Sequence, residues 1–348
     1  MKIGLIASSR PNRERSLQSK DLYRYLRPDK TLVKGDDMDF SLRYFRNKSK
    51  IKSEFTKEDI DWLTEDMDIV IAIDDDYCGG LLYKVAKRKG VKSVLMYNFD
   101  QLEQAINPEL ALPDMFLACS KWHFDDVKKA FGNIARVEYI PFPVSRDIPF
   151  TRRKKARNFV HITGDDFLDD ENGTEIFIQA LFSVQEDINI RIFAQRDLVG
   201  QVLPSEDGET LAHSLQISRK PLNDLEFLFK NMDVLVLPRR FGGLSMIANM
   251  AMSVGVIPMM PNVEPQNDYL NPLMLTPIRG IHMAQRKTAF EKFDVDPITV
   301  AMHMDHLSKT SHAVIGELSD YCDVFATAIS WQNLLPRYMR MFESLLKK

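Results

Sequence analysis

The stretch from Asp233 to Leu270 constrains this chain most. A short apolar run, Val234-Leu-Val-Leu237, is interrupted by Gly242-Gly243; apolar residues then resume at helical spacing from Leu244 to Val254, and Gly255 stops them. An unbroken apolar run of this length marks a strand buried on both faces, which in soluble proteins is a parallel strand covered by helices. The order strand, turn, helix, strand therefore predicts an α/β chain.

Two adjacent glycines between such a strand and its helix let backbone amides approach an anion, and the helix start adds roughly half a positive charge there. Arg239 and Arg240 stand just before the glycines, where a planar guanidinium can grip phosphate with two hydrogen bonds. A diphosphate cradle is one reading of these residues. A tight turn with two solvated arginines is the other.

The same alternation runs through the rest of the chain. Lys2 to Ala7 reads as a strand, Ser8 to Arg15 as the loop at its end and Leu17 to Leu26 as a helix. Asp68 to Ile73 is a second buried strand, ending in Asp74-Asp-Asp76, a triplet able to cap a helix, bind a metal or act as a base. Leu82 to Lys89, Ser93 to Met96, Tyr97-Asn-Phe-Asp100, Phe116 to Cys119 and a helix opening at Ser120 to His123 continue the series and imply a doubly wound domain.

Pro141, Pro143 and Pro149 with Arg152-Arg-Lys-Lys155 mark a linker, so residues 1–150 and 151–329 are expected to form separate domains. Beyond it, Asn158 to Thr163 is a strand, followed by Gly164, an acidic loop and a helix opening at Asn172-Gly-Thr-Glu175. Ile188 to Phe193 is a further strand ending in Gln195-Arg196, and Arg196 adds a cation at that edge.

Composition narrows the function classes. At 348 residues there is room for two cores, and no run of about 18 apolar residues suggests a membrane span, so a cytoplasmic protein is expected. Cys78, Cys119 and Cys322 match no zinc spacing, and His303-x-x-His306 lacks a third ligand, so no metal is expected. No Ser-His-Asp or Cys-His nucleophile context is legible. The first 50 residues carry 13 basic and 6 acidic side chains, which suits either a polyanionic partner or a solvated basic surface.

Pro238-Arg-Arg-Phe-Gly-Gly-Leu-Ser245, with Met250-Ala-Met-Ser-Val-Gly255, resembles the donor-site signature of GT-B glycosyltransferases of the retaining family-four type. It is most similar to a subgroup frequent in bacteriophages and some bacteria, whose turn reads Pro-Arg-Arg-aromatic-Gly-Gly-Leu. Gly242 and Met250 stand where that family has glutamates, and Glu171-Asn172 where it has a basic pair. Met96 to Asp100 with Leu117 to Trp122 resembles the acceptor-side domain, and residues 330–348 resemble the helix that crosses back onto it.

The resemblance implies two Rossmann-like domains and transfer of a sugar from a nucleotide sugar, UDP- or another NDP-sugar, to a hydroxyl acceptor. Configuration would be retained, without a protein nucleophile or a required cofactor. Arg239, Gly242, Gly243, Leu244, Ser245, Gly164 and Asn172 would bind the donor, with Arg240, Arg196 and Asp100 serving the chemistry. Ser9, Arg10, Arg13, Tyr97 and Asn98 would meet the acceptor. The phage-type signature and the basic N-terminal stretch point to DNA carrying a hydroxymethylated base, flipped out and stacked on Tyr97, Phe99 or Trp122. A cell-envelope or capsule glycan is the alternative acceptor, and a GT-B binding module without catalysis is the alternative class.

Overall fold

The computed structural model describes residues 1–9, 14–35, 45, 49–74, 80–102, 109–163, 170–194, 198, 214–218, 228–268, 274–275, 277–285 and 289–347. The chain forms two compact units. One comprises Met1–Pro143, Gln285–Ala289 and Ile329–Lys348; the other comprises Val144–Ala284 and Phe290–Ala328.

In the first unit β1 (Ile3–Ser8), α1 (Glu14–Leu26), β2 (Lys30–Lys34), β3 (Ser49–Lys52), α2 (Lys57–Thr64), β4 (Ile69–Ile73) and α3 (Leu81–Lys89) follow one another. After them come β5 (Lys92–Tyr97), β6 (Met115–Ala118), α4 (Phe124–Phe131) and β7 (Arg136–Tyr139). The seven strands are parallel in the order β3-β2-β1-β4-β5-β6-β7. Every residue of β1 and β4 is buried, as a strand covered on both faces requires. Thr56 and Asp59 close a capping box on α2, and Gly90 ends α3 in the left-handed region at φ 72°.

In the second unit β8 (Asn158–Ile162), α5 (Thr174–Leu181), β9 (Asn189–Phe193), β10 (Ser214–Ser218), β11 (Val234–Val236), α6 (Met246–Ser253), β12 (Ile257–Pro261) and β13 (Met274–Leu275) come first. β14 (Pro277–Gln285), β15 (Ala289–Val295), α7 (Pro297–Lys309) and α8 (His312–Ala328) follow. β8 to β13 form a parallel sheet in the order β10-β9-β8-β11-β12-β13, while β14 and β15 pair with each other. All eight residues of α6 are buried, so this helix belongs to the core.

The chain ends in α9 (Trp331–Leu346), part of the first unit and capped by the Ser330 hydroxyl. Trp331, Tyr338 and Phe342 are fully buried. Trp331 stacks on Tyr25 at 4.6 Å, and its indole N–H donates to Asp21 at 3.4 Å.

Several boundaries differ from those the sequence suggests. The helix expected from Ser120 begins only at Phe124, because His123 sits in the left-handed region at φ 52°. Asp74 does not cap α3; Gly80 is its N-cap, and Asp74 bonds sideways instead. Among the described residues, no helix is long and apolar enough to cross a membrane.

Candidate functional site

In an open parallel sheet, ligands bind beyond the carboxyl ends of the strands where the strand order reverses. In the second unit that reversal lies between β8 and β11, so the segments that follow them meet at the crevice there, and of these segments 163, 170–173 and 237–245 are among the described residues. These loops are packed together. A Cβ added at Gly173 would lie 2.0 Å from the Pro238 carbonyl, and the Arg240 amide donates to the Glu171 carbonyl at 2.9 Å.

Arg239, expected to face a diphosphate, turns inward and is only 3% exposed. Its Nε donates to the Phe241 carbonyl at 2.9 Å, Nη1 donates to the Leu244 carbonyl at 3.1 Å and Nη2 donates to the Glu171 carboxylate. The guanidinium thus ties the turn to the neighbouring loop. Gly242 is required by this arrangement: its φ is 108°, and a Cβ there would lie 2.5 Å from Arg239 Nη2 and 2.8 Å from Glu171 Oε1.

Arg240 is the outward member of the pair. Its Nε donates to Asp294 on β15 at 2.5 Å, and the side chain is 17% exposed. Among the described residues, Nη1 and Nη2 meet no acceptor.

Two helices start at this crevice, and they differ in what their amides hold. Asp170 fills the start of α5: its carboxylate accepts from the Thr174 and Glu175 amides at 2.9 and 3.1 Å. Asn172 is likewise engaged, donating through Nδ2 to the Ile162 carbonyl at 3.0 Å. At α6 the cap is neutral. The Ser245 hydroxyl, in a residue 1% exposed, takes the Ala248 amide at 3.4 Å. The amides of Gly243, Leu244, Met246 and Ile247 meet no acceptor among the described residues, so no described carboxylate offsets the positive end of this helix. Gly164 and Arg196 lie outside the described residues.

His161 braces the crevice from below. It is fully buried, its Nδ1 pairs with the Val236 carbonyl at 2.8 Å and its Nε2 with the Thr174 hydroxyl at 3.0 Å, and the ring stacks on Phe177. Since a carbonyl only accepts, Nδ1 carries the proton and Nε2 accepts from Thr174.

The first unit's own reversal lies between β1 and β4. Asp74, at φ 63° and 4% exposed, is the hub at the end of β4. Its Oδ1 accepts from the Asn98 amide and side chain at 3.1 and 2.9 Å, and its Oδ2 accepts from Arg15 Nε at 2.7 Å. Ser9 is fully buried, its amide bound to the Lys34 carbonyl at 2.9 Å. Asp100 is buried and accepts from Gln101 at 2.8 Å.

Tyr97, expected to stack on a base, lies instead in the hydrophobic core, edge-on to Phe116 at 6.2 Å. Its hydroxyl has no partner among the described residues, and burial, with a smaller contribution from Cys119, pushes its pKa well up. The partly exposed ring at this edge is Phe99, stacked on His123 at 4.0 Å with Trp122 edge-on to it at 5.7 Å. Arg10 and Arg13 lie outside the described residues, as do Asp75 and Asp76.

From sequence, Glu171 stands out only as a departure from the family's basic pair, and Asp170 and Asp294 receive no role at the site. Asp170 had a signal, an acidic residue just ahead of a helix-opening Gly-Thr, but Glu171 and Asp294 reach the turn only through the fold.

No protein-family model matches the chain, and no curated protein matches it. Solved structures do. A crystal structure of a GtfA/B complex aligns with a TM-score of 0.59 at 11% identity, covering 84% of this chain and 60% of that one. One of the pneumococcal O-GlcNAc transferase GtfA in complex with UDP and GlcNAc gives 0.57 at 11%, covering 80% of this chain and 57% of that one. The chain thus spans about three fifths of the length of these two. Sucrose-phosphate synthase from Thermosynechococcus elongatus gives 0.66 at 12%, covering 99% of both chains. At such identities the likeness establishes the fold, and that fold is the α/β GT-B architecture.

Proposed function

We propose that this chain is a glycosyltransferase that takes a sugar from a nucleotide-sugar donor, UDP- or another NDP-sugar, and passes it to a hydroxyl acceptor. One observation carries the reading: at the switch point of the second unit, α6 starts with a neutral cap a few residues after Arg240, and among the described residues neither the amides of that start nor the terminal nitrogens of Arg240 meet an acceptor. Such a site suits the diphosphate that departs when the sugar is transferred. Donors aimed where negative charge develops lower the barrier by stabilising the leaving group. The O-GlcNAc transferase among the similar structures holds UDP and GlcNAc, which fits this ligand class.

In this reading Gly243, Leu244 and the first turn of α6 hold the diphosphate, Arg240 neutralises it and Arg239 keeps the turn in shape. Retention of configuration follows from the family resemblance, the donor phosphate itself accepting the acceptor's proton. For the acceptor we take a hydroxymethylated DNA base, supported by the 13 basic against 6 acidic residues in the first 50. Arg15 contributes less to this than its charge suggests, being paired with buried Asp74.

The test is a panel of nucleotide sugars incubated with the protein, with mass spectrometry of hydroxymethylated DNA and of glycan acceptors. Sugar transfer to DNA is expected, with DNA affinity falling steeply as salt rises. Transfer only to glycans replaces the acceptor. No transfer and no donor hydrolysis with any sugar defeats the enzymatic reading. Arg240→Ala is expected to cost on the order of 2 kcal/mol in transition-state stabilisation, read from kcat/KM.

A further inference from the structure

We infer that Asp294 is a positioning residue, which aims the Arg240 guanidinium at the donor's diphosphate; this rests on the reading above. β15 presents Phe290, Lys292 and Asp294 on one face, as the two-residue period of a strand requires. All three meet the same two residues of the turn. Phe290 packs against Phe241 with ring centres 4.9 Å apart, Lys292 Nζ lies 5.9 Å from the Phe241 ring and Asp294 Oδ1 accepts from Arg240 Nε at 2.5 Å.

The backbone of Arg240 is held on both sides as well. Its amide donates to the Glu171 carbonyl at 2.9 Å, and its carbonyl accepts from the Phe293 amide at 2.7 Å. Among the described residues Nε is the side-chain nitrogen engaged, so the forked end, Nη1 and Nη2, meets no described acceptor while the stem is fixed. An arginine ordered before its ligand arrives loses less side-chain freedom on binding.

Asp294 also exerts an opposite effect. A carboxylate this close to an anion site repels the anion, so charge alone predicts tighter binding when Asp294 is removed. Positioning predicts weaker binding. The two signs make the inference decidable.

The experiment titrates inorganic pyrophosphate into the full-length chain by calorimetry, with a thermal melt of each variant to check folding. Arg240→Ala should weaken binding about tenfold or more, and Asp294→Ala roughly three- to tenfold. Asp294→Asn keeps an oxygen for Arg240 Nε and loses the charge, so it should bind at least as tightly as the unaltered chain. In an Arg240→Ala background, Asp294→Ala should weaken nothing further, because the coupled partner is gone.

If Arg240→Ala weakens binding but Asp294→Ala leaves it unchanged or tighter, Asp294 is not a positioning residue. If Asp294→Ala does not fold, the isosteric Asn variant carries the test, and a loss of about tenfold there overturns the inference. If Arg240→Ala leaves pyrophosphate affinity unchanged, the donor-site reading falls first and takes this one with it.

Discussion

Arg239 and Arg240 are adjacent, yet one closes its guanidinium on two carbonyls and Glu171 inside the turn while the other stays 17% exposed, its fork meeting no acceptor among the described residues. Arg239→Ala should therefore act on stability. It would remove the cation paired with Glu171, which is 24% exposed, and cost about 3 kcal/mol, the lower end for a broken buried pair, measured by urea unfolding. Arg239→Lys should recover little, because an ammonium cannot span acceptors arranged for a planar fork. Gly242→Ala should cost about 1–3 kcal/mol in the same experiment, since its φ of 108° and the nearby guanidinium both exclude a side chain. The sequence showed that cations precede the glycines. It could not show which one turns inward, because that choice depends on Glu171, 68 residues away.

At the scale of elements, alternating buried runs and helical spacing made the doubly wound pattern legible, while strands at and next to the sheet edges escaped. β2, β3 and β7 carry Lys or Arg among their few residues, so they lack the unbroken apolar run that marks a central strand. β14 and β15 escaped for a similar reason, and with them Asp294. The capping box of α2 yields a pH prediction. Burial pushes the Asp59 carboxyl up, but hydrogen bonds from Lys52 and from the Thr56 amide and hydroxyl outweigh it and hold its pKa below the ordinary value. Because the folded pKa is lowered, the stabilisation is present above the unfolded value of about 3.9 and disappears as pH falls through the folded one. Urea unfolding between pH 7 and pH 3 should show Asp59→Asn less stable than the unaltered chain at neutral pH, with the gap closing on the acid side.

The whole molecule has one compact unit built from distant pieces of chain. β1 to β7 share their core with α9, so Trp331, Tyr338 and Phe342 are buried among residues more than 180 positions earlier. Residues 1–143 alone should lack a cooperative melt, and a peptide of residues 329–348 added in trans should restore one. Residues 144–328 alone should melt cooperatively and bind pyrophosphate. Trp331→Ala, which empties a fully buried site, should cost about 3–5 kcal/mol, read by the same urea unfolding. The order of synthesis is affected too. On the ribosome, β1 to β7 emerge first, and Asp21 and Tyr25 must wait for Trp331 while residues 144–328 are made, about 10–40 s at ordinary translation rates. The half of the protein that is translated first is the half that finishes folding last, and through that interval its unfilled core is exposed to chaperones and to neighbouring nascent chains.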